Sequence, residues 1–214
     1  MGNPRLDDAI RQLVHRYLSD VVEAWGLCPW AAPARRAGDL AIHIAWPPED
    51  AEPVITNLVR EWVRAEVPIG LLVLPAARTT PTQHRALRDR IVAAVPGGLV
   101  ADFHPTGGEV PPRSPAHLVH LLRRSPDRML QVVPARHLQQ LTQSPTLTPS
   151  EQLRALTGYL ARDPDVRERI ATDNWNTVQV RGLPALMRVI DELAAARAML
   201  EPAFEPPTST GRAG

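Results

Sequence analysis

Three short apolar runs that alternate with helical patterns constrain this chain more than any other feature. They are Asp39–Trp46 (DLAIHIAW), Ile69–Leu74 (IGLLVL) and Leu99–Phe103 (LVADF). From about Glu52 to Ala65, Val54, Ile55, Leu58, Val59 and Trp62 fall at helical spacing, and Thr82 to Val95 repeats the pattern between the second and third runs. Strand–helix–strand–helix–strand with short connections predicts an α/β fold. The expected core is a small layered domain with a short, mainly parallel sheet and right-handed crossovers, because parallel neighbours need a helix-length connection. The middle run is apolar throughout, as a strand covered on both faces must be. Ligands of such sheets bind beyond the carboxyl ends of the strands. Those ends fall here at Trp46-Pro47, Pro75–Thr80 and His104–Gly108.

The flanks are helical. Residues 6–25 carry Ile10, Leu13, Val14, Tyr17, Leu18, Val21, Val22 and Trp25 on one broad face, and Gly26 supplies a C-cap. Beyond Arg124 the pattern from Met129 to Leu141 fits a strand or a helix broken at Pro134, and both stay open. A polar linker follows (143–149), then helix signals from Thr148 to about Ala161 and from Pro164 to Ala171. A final helix spans Leu183 to Leu200, with Leu186, Val189, Ile190 and Leu193 in phase. The 214 residues thus divide into an α/β core (1–124), a helical extension packing on it (125–200) and a Pro-rich tail (201–214) expected to be disordered.

Charge and composition exclude several classes. A net charge of +1 offers no bulk attraction to nucleic acid or an anionic membrane. All 24 residues counted as Lys+Arg are arginine, so no Schiff-base or P-loop lysine is available, whereas carboxylates and phosphates can be held bidentately. One cysteine, Cys28, rules out an internal disulfide. With no signal-peptide pattern and no apolar run of membrane-spanning length, a cytoplasmic protein is expected.

Chemistry concentrates in Asp102–Arg124 (DFHPTGGEVPPRSPAHLVHLLRR). His104 ends the third run, and Arg113-Ser114-Pro115 opens a helix carrying His117 and His120 on nearly one face. His104 reads either as a ligand or general acid/base or as a cap for loop carbonyls. His117 and His120 can bind a metal together or face solvent. Gly107-Gly108 is read as a turn rather than a phosphate cradle, since no GxxxxGK[ST] or GxGxxG accompanies it. Arg113 is the anion-holding candidate. Cys28, ahead of Pro29, offers a haem thiolate, a metal ligand, a nucleophile or simply a small core residue. Asp102, Asp39 and Glu109 read as scattered, and His15, His43, His84 and His137 as incidental.

Three motifs in order resemble the bacterial domain-of-unknown-function family numbered 1415. They are Gly26-Leu27-Cys28-Pro29-Trp30 after the first helix, Phe103-His104-Pro105 at a strand end, and Arg113-Ser114-Pro115 followed by Val119-His120-Leu121-Leu122-Arg123. The resemblance covers about residues 6–124. It implies that Cys28, His104, Arg113 and His120 belong to one site, without implying a reaction. Two positions depart from the family pattern. Leu74-Pro75 stands where His-Pro is usual, and His117 replaces a usual proline.

The expected function is a small metal- or haem-dependent enzyme, an oxidoreductase acting on a small acidic, amino acid-like substrate. Cys28, His104, His117 and His120 are the cofactor-binding set, with Cys28, His104 and His120 as the ligands of a single transition-metal ion. His104, His120 and Arg113 are the catalytic set. On this expectation Cys28, His104 and His120 line one pocket. The rival readings are a cofactor-free cysteine enzyme and a non-catalytic binding module.

Overall fold

The computed structural model describes residues 3–28, 31–46, 51–108, 110–135 and 165–201. Helix α1 (Pro4–Arg16) starts at Asn3, whose side chain accepts from the Arg5 N–H. Its continuation, Tyr17–Glu23, is wound as a π-helix, and the Ala24 N–H reaches back to the Ser19 carbonyl. The expected helix end holds, with Gly26 at φ +63°. There follow α2 (Ala31–Ala37), β1 (Leu40–Ile44), α3 (Glu52–Arg64), β2 (Ile69–Leu74), α4 (Pro81–Ala94), β3 (Gly98–Phe103), α5 (Pro115–Leu122), β4 (Arg128–Pro134), α6 (Asp165–Arg181) and α7 (Leu183–Ala198).

The fold is α/β, and the three predicted strands run in one direction. Leu40 pairs with Ile69 and Ile44 with Val73 in the parallel β1–β2 ladder. The sheet order is β1-β2-β4-β3, so β3 does not sit beside β2. The segment left open as strand or helix is β4, which runs antiparallel between the two, pairing Leu72 with Leu130 and Val100 with Val132. Residues 125–200 are therefore not simply a helical extension, because β4 lies inside the sheet. The predicted linker, the 148–161 helix and the tail from 202 fall outside the described residues.

Strand alternation divides the core into two layers. Leu71, Val73 and Met129 face α1, the π-helical turn, α5, α6 and α7, while Leu72, Leu74, Val100, Leu130 and Val132 face α3 and α4. All six β2 residues are buried, which is why that run carries no polar side chain. Leu186, Ile190 and Leu193 of α7 enter the first layer. At the end of α7, the Arg197 Nε–H donates to Asp127 Oδ1 at 2.6 Å. Among the described residues, no helix is long and apolar enough to cross a membrane.

Candidate functional site

A cavity of about 270 Å³ opens between the first face of the sheet and the helices above it. Its floor is Leu40, Ile69, Leu71, Phe103, Met129, Gln131 and Val133, side chains placed on one face by the two-residue period of the strands. Tyr17, Leu18, Val22, Leu27 and Cys28 form one wall, Val119, Leu122 and Arg123 another, and Asn174 of α6 the rim. Most of this lining is apolar. An apolar cavity of ~150 Å³ holds benzene, so this one has room for roughly eleven non-hydrogen atoms on the same scale.

Few polar groups face that space. The Tyr17 hydroxyl donates to the Leu122 carbonyl at 2.7 Å, and burial pushes its pKa well above the ordinary phenol value. Asn174 Nδ2 donates to the Leu27 carbonyl at 3.4 Å, bracing the backbone just before Cys28. Cys28 itself is half-buried. Arg123 follows the last turn of α5, and its carbonyl accepts from the His104 N–H at 3.1 Å beyond the end of β3. Burial pulls the guanidinium of Arg123 below its usual range and Asp102 opposes that shift, but an arginine still remains charged.

The histidines lie elsewhere. Phe103 points into the cavity, so alternation turns Asp102 and His104 toward α4. The His104 Nδ1 accepts from the Thr106 N–H at 3.1 Å, leaving Nε2 to donate to the Thr79 carbonyl at 2.9 Å. Desolvation holds its pKa below the ordinary value. It caps loop carbonyls at the carboxyl edge of the sheet, the second of its two sequence readings. Its ring packs 5.9 Å from that of His84, which is fully buried and bonded through Nε2 to the Met129 carbonyl.

His117 and His120 are exposed on α5, and Arg113 is exposed just before its Ser114 N-cap. Partial desolvation, then the charges of Arg85 and Arg123, lower the pKa of His120. The Gly107-Gly108 turn does reverse the chain as expected. Gly108, at φ +76°, lies against the backbone of His120 and Leu121, and the Arg124 Nη2–H donates to its carbonyl at 3.0 Å.

The structure thus brings Cys28 together with Arg123, not with His104 and His120. The Cys28, His104 and His120 ligand set is not assembled. The physical reason is that Phe103 ends β3 facing the cavity, and His104, the next residue, turns to the opposite layer beside His84. Among the described residues, no group of three or more His, Cys, Asp and Glu side chains could hold a metal ion. No described histidine lines the cavity beside Cys28.

No family model, curated protein or solved structure matches the chain.

Sequence reading missed the cluster at the free edge of β3. Asp102, 8% exposed, faces Arg88 Nε and Arg123 Nη1 at 3.7 Å and Arg85 Nε at 3.9 Å. A carboxylate inside an apolar strand, followed in space by arginines at i and i+3 of the crossover helix, was the available signal.

Proposed function

We propose that the protein binds a small, compact organic acid, with its apolar body in the cavity, its acidic group toward Arg123 and the Cys28 thiol as the reacting group. The observation that carries this reading is one thiol and one guanidinium on the wall of a mainly apolar cavity. Concave, mainly apolar sites with a few placed polar groups are the usual form of small-molecule sites. The volume suits an acid of up to about ten non-hydrogen atoms. We also propose membership in the family numbered 1415, supported by the three motifs in order. Its Cys-Pro motif supplies the thiol, and its Leu-Leu-Arg motif supplies the guanidinium.

The test is alkylation of Cys28 by iodoacetamide with and without hexanoate. Binding is expected to slow alkylation of the intact protein, and Arg123→Gln is expected to weaken that protection about tenfold, as loss of a charge-assisted contact should. If hexanoate and a short aromatic acid both leave the alkylation rate and the melting temperature unchanged, the reading is wrong.

A further inference from the structure

Arg123 belongs to two groupings at once, the apolar cavity and the charged cluster at the free edge of β3. From this we infer that the ligand's acidic group is a phosphate, held by Arg85, Arg88 and Arg123 beside Asp102 while the organic body enters the cavity. The inference deepens the proposed function and rests on it.

Three guanidinium groups converge on one carboxylate, and none approaches closer than 3.7 Å. Asp102 Oδ1 is buried without a hydrogen-bond partner, while the buried Arg88 Nε lies 2.8 Å from Asp89 Oδ1 in a geometry that does not make a hydrogen bond. Buried polar atoms are almost always satisfied, so each orphan calls for an explanation. Asp89 is exposed. Counting both acids, three positive charges meet two negative ones, and His117 and His120 add no negative charge.

Each guanidinium has five N–H donors in a planar fork. One carboxylate at salt-bridge range uses few of them. A phosphate monoester offers three terminal oxygens in a tetrahedral array, one for each fork, where a planar carboxylate has only two oxygens to share among the three. Asp102 then acts as the group that keeps the arginines gathered when no ligand is bound.

The edge position connects this cluster to the cavity. Among the described residues β3 is the last strand of the sheet, so no described strand lies beyond it on that side. Arg123, placed by its backbone contact with His104, reaches from the cavity wall to Asp102 around that edge. A monoalkyl phosphate can lie along the same path.

The experiment titrates the full chain with hexyl phosphate, hexanoate and inorganic phosphate, read by calorimetry and by protection of Cys28 from iodoacetamide. Hexyl phosphate is expected to bind at least about tenfold tighter than hexanoate, with Cys28 protected and inorganic phosphate not protecting it. Arg85→Gln changes a side chain that is 49% exposed, so folding is not at issue. It should remove most of the preference for hexyl phosphate, read as the ratio of the hexyl phosphate and hexanoate affinities. Equal affinity for hexyl phosphate and hexanoate would overturn the phosphate assignment while leaving the acid-binding reading in place. Hexyl phosphate binding no tighter than inorganic phosphate, with Cys28 unprotected, would sever the cluster from the cavity and overturn the inference. Failure of all three to bind would overturn both.

Discussion

Replacing Asp127 with asparagine isolates the most heavily buried ion pair described here. Asp127 is 3% exposed and Arg197 7%. Burial raises the Asp127 pKa and outweighs the attraction of Arg197 that lowers it. The pair as a unit therefore contributes little net stability, since desolvation consumes the Coulombic gain. Breaking it is different, because the guanidinium stays buried without its counter-ion, and such losses typically cost ~3–5 kcal/mol. Arg197 retains Glu201 at 3.2 Å and the Pro75 carbonyl at 3.4 Å. Asp127→Asn should therefore fall near the lower end, about 3 kcal/mol, which for a chain of this size lowers Tm by roughly 6–12 °C. The apolar double variant Asp127→Leu/Arg197→Met removes both charges and should lie within about 1 kcal/mol of wild type. Urea unfolding of wild type, Asp127→Leu, Arg197→Met and the double variant measures the coupling, with Asp127→Asn unfolded alongside. A cost below about 1 kcal/mol for Asp127→Asn, or a double variant as damaged as the sum of the singles, would refute the argument.

Acid should destabilise the fold through its histidines. Burial lowers the pKa values of His84 and His104 from the usual 6.5, so below that pH the unfolded chain binds protons that the folded one does not. Stability is then full above about pH 7.5 and falls as pH drops through 6.5, by up to ~1.4 kcal/mol per pH unit for each group. Urea titrations at about pH 7.5 and 5.5 should show a shallower loss in His84→Gln, and an unchanged or rising wild-type stability would contradict this. Gly108→Ala places a methyl against the α5 backbone at a φ of +76°, and overpacking with a left-handed alanine should cost about 2–4 kcal/mol by thermal unfolding. A change under about 1 kcal/mol would mean that α5 can slide away from the turn.

Much of the fold was legible locally. The three apolar runs and the crossover helices depend only on the spacing of side chains within a few residues, and that spacing survives in the structure nearly residue for residue. The first helix, its Gly26 stop, the Ser114 N-cap and the final helix are equally local. The fate of 128–134 was not, because Met129, Leu130, Val132 and Val133 serve a buried strand or a helix equally well in a short window. Only partners on both sides, β2 and β3, decide for the strand. Opposite orientation of Phe103 and His104 is a local matter of adjacent residues at a strand end. Which of them would share a layer with Cys28 depended on where α1 and α5 pack, a long-range choice. The same packing made Arg123, an ordinary end-of-helix arginine in sequence, the bridge between the cavity and the Asp102 cluster, because burial and distance are properties of the assembled chain and not of any segment of it.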